Sequence, residues 1–306
     1  MVTAVTLLTA PVNAHDIKGL TLEVNDSASP DVARALAQTP ESMKWVLNNL
    51  RLWPMPRKLT ICFHGGSVPL RKRIADAMQK VWPIRDLSQG RLDYDRSNFS
   101  HPPRCGIPAG ADIRVALTQR DGYWSHVGIE SLQQDPSMNL GFDENPPDDA
   151  EFDRLVGHEM GHALGFEHEH QSPDAPKCHW DYDWIWKNYK WESRQDMRDN
   201  LDRLEDYISN GKHAYVFSDY DQKSLMHYSF PKDAFRDKEA DACFISPNWV
   251  PSAQDRKAIE TAYGPDNLAR QNQLKSLLQD AAKSFTGPDS AKLQALIRSK
   301  IQLLDN

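Results

Sequence analysis

Residues 148–168 decide the fold, and they read DDAEFDRLVGHEMGHALGFEH. Asp148 is followed three positions later by Glu151, as in a capping box with aspartate in the cap position, which predicts the start of a helix. Gly165 stands where such a helix would end in a left-handed cap. The apolar side chains between these points recur at helical spacing and give the helix one buried face: Phe152, Leu155, Val156, Ala163 and Leu164.

The histidines of this segment have the spacing of metal ligands. His158 and His162 are four residues apart, so they project from one face of the predicted helix about one turn apart. That separation suits two imidazoles that bind one zinc ion at about 2.0–2.1 Å. Gly165 tolerates a positive φ, so the chain can turn sharply and return His168 as a third ligand. Glu159 can reach a metal-bound water without binding the metal, and three protein ligands leave a fourth position for that water, as in catalytic zinc sites.

Residues 224–228, SLMHY, form a second informative segment about 60 residues after the histidines. Taken alone, Met226 would be a core residue and Tyr228 a half-buried tyrosine. The alternative for the histidine segment is a structural cluster on a core helix. The helix start, its buried face and its glycine stop all fall where a zinc site needs them, so the metal interpretation is favoured. His170 is predicted to lie beside the ligands or at the surface and not to bind the metal.

The rest of the chain mixes strands and helices. Short β-rich stretches predict strands, and apolar residues at helical spacing predict helices. We expect strands at 59–63, 112–117 and 137–142 and helices at 70–81, 184–208 and 252–264. The last helix begins at a capping box and ends before a Gly-Pro pair, which marks the end of the domain.

The zinc motif followed by Glu169, together with Ser-x-Met-His-Tyr at 224–228, resembles the astacin family of zinc endopeptidases within the metzincins. Weaker matches follow in the family's order: GYWSHVG at 122–128, Tyr220-Asp221, and SAQD at 252–255. The resemblance covers roughly residues 50–265. It implies an α+β metzincin fold, with a twisted mixed sheet and the active-site helix in an N-terminal lobe and a mostly helical or irregular C-terminal lobe.

The resemblance also implies the chemistry of the site. One zinc ion per chain would be held by His158, His162 and His168, and zinc-bound water would attack the peptide bond. Glu159 would act as general base and acid, and Tyr228 would swing to stabilise the oxyanion. The implied activity is that of a zinc metalloendopeptidase that hydrolyses extended protein or peptide substrates. The alternative is a catalytically inactive, peptide-binding pseudoprotease, whose usual sign is loss of the glutamate or of a ligand.

Three further expectations come from the family. Met226 would lie under the metal, Glu169 would anchor the mature N-terminus, and residues 137–142 would be the edge strand that pairs with the substrate backbone. The chain also departs from the family's pattern. Animal astacins have an arginine where this chain has Ser172, and no Phe-x-Gly-Asp latency segment stands upstream.

Charge and hydropathy exclude two classes of protein. The formal net charge of −7 argues against a nucleic-acid-binding protein, which usually needs a basic surface. No stretch reaches about 18 consecutive apolar residues, so no transmembrane helix is predicted. We expect a candidate signal peptide at 1–14, an N-terminal segment at 15–49, the catalytic domain at 50–265 and a helical extension at 266–306.

The four cysteines indicate the cellular compartment in which the protein is expected to fold. An even number suits two disulfides in an exported protein, although four cysteines allow three pairings. Cys62 and Cys105 belong to the N-terminal part, whereas Cys178 and Cys243 flank the C-terminal lobe. The sequence therefore predicts the pairs 62–105 and 178–243 and a secreted protein. Four buried thiols in a cytoplasmic protein are the alternative.

Overall fold

The computed structural model describes residues 47–48, 51–106, 110–189, 191, 193–204, 215–216 and 219–265. The expected signal peptide, nearly all of the 15–49 segment and the helical extension at 266–306 lie outside the described residues. The chain divides into two compact units. The first unit contains Leu47–Phe166 and the chain from Trp249 onward, and the second unit contains Glu167–Asn248.

The fold is α+β, with short strands and helices of moderate length. The strands are β1 (Leu47–Asn48), β2 (Arg57–Leu59), β3 (Ile61–Phe63), β4 (Leu92–Tyr94), β5 (Ile113–Ala116), β6 (Tyr123–Ser125), β7 (Met138–Leu140) and β8 (Tyr215–Val216). The helices are α1 (Val68–Val81), α2 (Ile84–Leu87), α3 (Asp149–Ala163), α4 (Tyr182–Asn188), α5 (Arg194–Leu201) and α6 (Ala253–Tyr263). Within the described residues, no helix is both long and apolar enough to cross a bilayer.

A four-stranded mixed sheet forms the centre of the first unit, in the order β3-β5-β7-β6. β3, β5 and β7 run parallel, and β6 pairs antiparallel with β7. The expectation that residues 137–142 form the edge strand is therefore wrong: β7 lies inside the sheet, and the outer described strands are β6 and β3. The physical reason is burial, because every side chain of β7 is buried on both faces, whereas those of β6 are only partly buried.

The strand expected at 59–63 is divided at Thr60. The carboxylate of Asp112 accepts hydrogen bonds from the backbone N–H of Thr60 at 2.9 Å and from the Arg57 guanidinium. The Thr60 hydroxyl in turn accepts from the backbone N–H of Asp112 at 3.0 Å. Thr60 thus lies between two strand pairs: β2 pairs with β4, β3 pairs with β5, and the Thr60 carbonyl accepts from the Ile113 N–H at 3.0 Å.

The helix that carries the first two histidines begins and ends as expected. The Asp148 carboxylate accepts a hydrogen bond from the backbone N–H of Glu151 at 3.0 Å. The last carbonyls of α3 have no partner within the helix. The Trp53 indole donates to the carbonyl of Ala163 at 2.6 Å, and the Tyr263 hydroxyl donates to that of Leu164 at 2.7 Å. Both ends of α3 are thus held by side chains of the first unit.

The stretch expected to be helical, 184–208, contains two separate helices in its described part, α4 and α5. Two separate caps explain the division: Asp181 accepts from the backbone N–H of Trp184, and Ser193 from that of Asp196. Residues 205–208 lie outside the described residues. A buried apolar core joins these helices to the chain that follows: Trp180, Ile185, Met197, Leu201, Phe230, Ala234, Phe235 and Cys243.

The two disulfides are those expected from the sequence. Cys62 bonds to Cys105 in the first unit, and Cys178 bonds to Cys243 in the second. All four cysteines are therefore paired. Because disulfides persist in oxidising compartments, the pairing supports the expectation that the protein is exported.

Thiol counting checks this pairing. Because no cysteine is left over, we expect the unfolded, unreduced protein to show no thiol that reacts with a thiol-specific dye. A non-reduced digest should contain two linked peptide pairs, 62–105 and 178–243, in its mass spectrum. The same digest after reduction is the control. Four free thiols in the unreduced protein would contradict both the pairing and export.

Candidate active site

The first two histidines of the site lie on the last two turns of α3. His158 and His162 are both buried, and their ring centroids are 5.0 Å apart in an edge-to-face arrangement. The Nδ1 of His162 lies 2.8 Å from the carbonyl oxygen of Phe166. Because that carbonyl only accepts, Nδ1 carries the proton, and Nε2 of His162 is left to act as a metal ligand.

A sharp turn after α3 returns the chain towards the same histidines. Gly165 has a φ of 104°, a backbone conformation that L side chains rarely adopt. The Phe166 N–H donates back to the Gly161 carbonyl at 3.1 Å and fixes the turn. The ligand atoms of His158, His162 and His168 all lie within 4.8 Å of one another, and all three residues are buried. Three buried imidazoles whose ligand atoms converge are a donor set that zinc favours, so the site fits one zinc ion.

The acid beside the first ligand is also buried. Glu159 follows His158 on α3 and is 5% exposed. Burial raises the pKa of the Glu159 carboxyl to about 8, and the positive charge of Arg154 partly opposes this rise. A buried carboxyl on the helix that carries the first two histidines is placed where a group that accepts and returns protons would be needed.

Residues 224–228 form a tight, buried turn in the second unit. The Ser224 hydroxyl accepts a hydrogen bond from the Met226 N–H at 3.0 Å, and its carbonyl accepts from the His227 N–H at 3.1 Å. Met226 is fully buried, and its carbonyl accepts from the Glu169 N–H at 3.1 Å. The methionine expected under the metal is thus joined by its backbone to the residue that follows His168.

Glu169 links this segment to the turn by its side chain as well. Its Oε1 accepts a hydrogen bond from the backbone N–H of Asp221 at 2.8 Å, and Glu169 itself is buried. The expectation that Glu169 anchors the mature N-terminus involves residues outside the described ones. The described contact gives Glu169 a structural role in the second unit.

Tyr228 lies directly against the third ligand. Its ring centroid is 3.8 Å from that of His168 and 5.1 Å from that of His170, onto which it stacks with an interplanar angle of 20°. His170, which the sequence left either beside the ligands or at the surface, is buried. Tyr228, His168 and His170 thus form one group of contacting rings.

Sequence reasoning missed the pair that orders the backbone at Tyr228. The His227 ring receives the Tyr220 hydroxyl at its Nε2, 2.8 Å away, and donates from Nδ1 to the Tyr228 carbonyl at 2.8 Å. Burial lowers the pKa of His227 to about 4, so the ring is neutral at physiological pH and its Nε2 accepts from the Tyr220 hydroxyl. The only sequence signal near this pair was the resemblance of Tyr220-Asp221 to the family's pattern, and that resemblance did not predict a contact with His227.

A second cluster of possible ligands is already satisfied by the protein. His179, Asp237 and Asp241 also bring ligand atoms within 4.8 Å of one another. The carboxylate of Asp241 accepts from the backbone N–H groups of His179 and Cys243, both at 2.9 Å. The His179 ring bonds to Asp237. These contacts give the cluster a structural role: they hold the backbone next to the Cys178–Cys243 disulfide of the second unit.

The arrangement is that of a zinc site of the metzincin type. It combines three buried histidines with a buried glutamate beside the first of them and a methionine turn that is followed by a tyrosine. Comparison with known proteins adds a family resemblance for part of the chain. Residues 108–245 match the family model of Astacin, which describes a family of peptidases. This part of the chain is therefore similar to the astacin family.

Individual relatives agree with the family model. The chain is 27% identical over 210 residues to the zinc metalloproteinase dpy-31 of Caenorhabditis elegans, a match that covers 65% of this chain and 30% of that protein. It is 31% identical over 119 residues to the meprin A subunit alpha of Rattus norvegicus, covering 39% of this chain and 13% of that protein. A solved structure of myroilysin superposes with a TM-score of 0.55 and 27% identity, covering 71% of this chain and 98% of that one. The chain spans less than a third of the length of these two curated relatives.

Proposed function

We propose that this protein is a zinc-dependent endopeptidase that hydrolyses peptide bonds in extended polypeptides. The observation that carries the proposal is the buried set of His158, His162 and His168, whose ligand atoms converge beside the buried Glu159 of the same helix. All residues that the reaction needs are present, whereas a pseudoprotease would usually lack the glutamate or a ligand. Residues 50–265 are proposed as the catalytic domain.

Glu159 is proposed as the group that moves the proton. It accepts a proton from the attacking water and delivers it to the nitrogen of the leaving amine. A zinc ion at the site would supply Lewis acidity, stabilising charge on the scissile carbonyl oxygen, acidifying the water and favouring the carboxylate of Glu159. The burial of Glu159 keeps bulk water from competing for the proton that it carries.

Tyr228 is proposed to stabilise the oxyanion. Its hydroxyl donates a hydrogen bond to the oxygen that gains negative charge as the tetrahedral intermediate forms. The tight turn at 224–228 and the His227 bond to the Tyr228 carbonyl hold the backbone from which this side chain projects. The phenol can therefore move while its backbone stays in place.

The substrate is proposed to bind in an extended conformation along β6. Among the described strands, β6 pairs only with β7, so its outer side can add one more strand. Backbone hydrogen bonds to an added strand give affinity without demanding a particular side chain. This mode favours unstructured polypeptide segments as substrates. We also propose that the protein is exported, on the ground of its two disulfides.

Metal analysis and cleavage of a peptide library test the proposal together. The full chain should retain one zinc per molecule after dialysis and cleave peptides at internal bonds, and a chelator should remove both properties. His162→Ala should lose zinc and cleavage, because two imidazoles hold the metal far less well than three. His179→Ala is the matched control, since it removes a histidine from the other cluster and should leave one zinc in place.

The alternative outcomes are distinct. A chain that contains no zinc, or that cleaves peptides after chelation, would contradict the proposal. One zinc per chain with no cleavage of any library peptide would indicate the peptide-binding pseudoprotease.

A further inference from the structure

His170 is fixed by hydrogen bonding and packing within the second unit. It is 1% exposed, and its Nε2 lies 3.0 Å from the Asn200 carbonyl oxygen, to which it donates. The neighbouring Gln171 donates from its side-chain amide to the carbonyls of Asp199 and Asp202 at 2.8 and 3.1 Å. The segment that follows the third ligand is thus attached to the C-terminal end of α5.

The ring of His170 contacts the two groups of the site that lie in this unit. It stacks on Tyr228 at 5.1 Å and on His168 at 5.4 Å between ring centroids. It also forms a T-shaped pair with Trp180, with ring centroids 5.7 Å apart, and the Trp180 indole donates to the Leu201 carbonyl at 3.1 Å. His170 therefore connects the core of the unit to Tyr228 and His168.

We propose that His170 is a positioning residue for the reaction. Its ring provides the flat surface that holds the phenol of Tyr228 beside His168, so that the phenol moves between few orientations. The inference rests on the proposed function, in which Tyr228 stabilises the oxyanion. His170 itself does not touch the substrate. By restricting the Tyr228 side chain before the reaction, His170 lowers the conformational entropy that this side chain loses on reaching the transition state.

Replacing the His170 ring tests this role. His170→Gln keeps a hydrogen-bond donor but no ring, and His170→Leu fills the space with neither. Each is expected to lower kcat by about 10- to 100-fold, the cost of misplacing a catalytic group by about an ångström, with KM little changed. His170→Phe keeps a stackable ring and should recover most of kcat, although it loses the bond to Asn200.

A double replacement separates positioning from general damage. If His170 acts through Tyr228, His170→Gln should cost no more than about twofold in a Tyr228→Phe background, which is the scatter expected of independent effects. A full, additive loss in that background would overturn the inference. So would His170→Phe with the same kcat as the ringless variants. Zinc content, measured for every variant, should stay at one per chain.

Ring resonances of Tyr228 provide a readout that needs no activity. In the full chain, with and without zinc, the stacked His170 ring should shift the ring protons of Tyr228. His170→Gln and His170→Leu should abolish that shift, and His170→Phe should keep one. An unchanged Tyr228 spectrum in both ringless variants would contradict the inference. A chain with the expected shifts but no peptidase activity would contradict the proposed function and leave the contact established.

Discussion

Replacing Glu159 with glutamine is expected to lower kcat by at least about 10²- to 10⁴-fold, the range typical of a general acid–base group. Glutamine has nearly the same shape but cannot accept the proton from water or return it to the leaving amine. Glu159 is not a ligand in the proposed site, so zinc should stay at one per chain. Steady-state kinetics on one fluorogenic peptide, with metal analysis of each sample, measure both quantities.

Glu151→Gln is the matched control for Glu159. It makes the same chemical change on the same helix, where Glu151 forms an ion pair with Arg154 near the N-terminus of α3. Its kcat should stay close to that of the unaltered protein. A Glu159→Gln protein with zinc bound and kcat within a few-fold of normal would remove Glu159 from the mechanism.

Replacing Tyr228 with phenylalanine is expected to lower kcat by about 10²- to 10³-fold, as loss of one oxyanion donor does elsewhere. KM should change less, because the hydroxyl acts mainly in the transition state. The ring remains, so the contacts of Tyr228 with His168 and His170 are preserved. The same fluorogenic assay, with zinc content measured in parallel, provides the comparison.

Tyr189→Phe is the control for the loss of a tyrosine hydroxyl. Tyr189 belongs to the second unit and is 39% exposed, and it contacts Trp184 and Phe230 through its ring. Its replacement should change neither kcat nor zinc content. If Tyr228→Phe behaved in the same way, Tyr228 would be a packing residue, and the three-histidine zinc site would still stand.

Local features of the chain were predictable from the sequence. The Asp148 cap, the turn at Gly165 and the capping box at Ser252 each depend on residues a few positions apart, and the structure has all three. The convergence of His158, His162 and His168 is also local, because a helical turn and one glycine turn bring them together. The disulfide pairs followed from the part of the chain to which each cysteine belongs.

Features that depend on distant residues were not predictable in the same way. The division of the first strand at Thr60 requires Asp112, which is 52 residues away in sequence. The position of β7 inside the sheet depends on its pairing with both β5 and β6. The contact of His170 with Tyr228 joins residues 58 positions apart, so the spacing of the zinc motif gives no sign of it. In each case the sequence shows the residue type but not its partner.

The bond from the Tyr263 hydroxyl to the Leu164 carbonyl has a consequence for the order of folding. It joins residues 99 positions apart, and the same hydroxyl lies 3.4 Å from the backbone nitrogen of Trp53, which is 210 positions away. During synthesis, Trp53 leaves the ribosome long before Tyr263 does. The C-terminal end of the helix that carries His158 and His162 therefore gains this partner only after residues 53–263 have been synthesised. Closing so long a loop carries an entropic cost that local helix formation does not, so we expect this C-terminal contact of α3 to form late in folding.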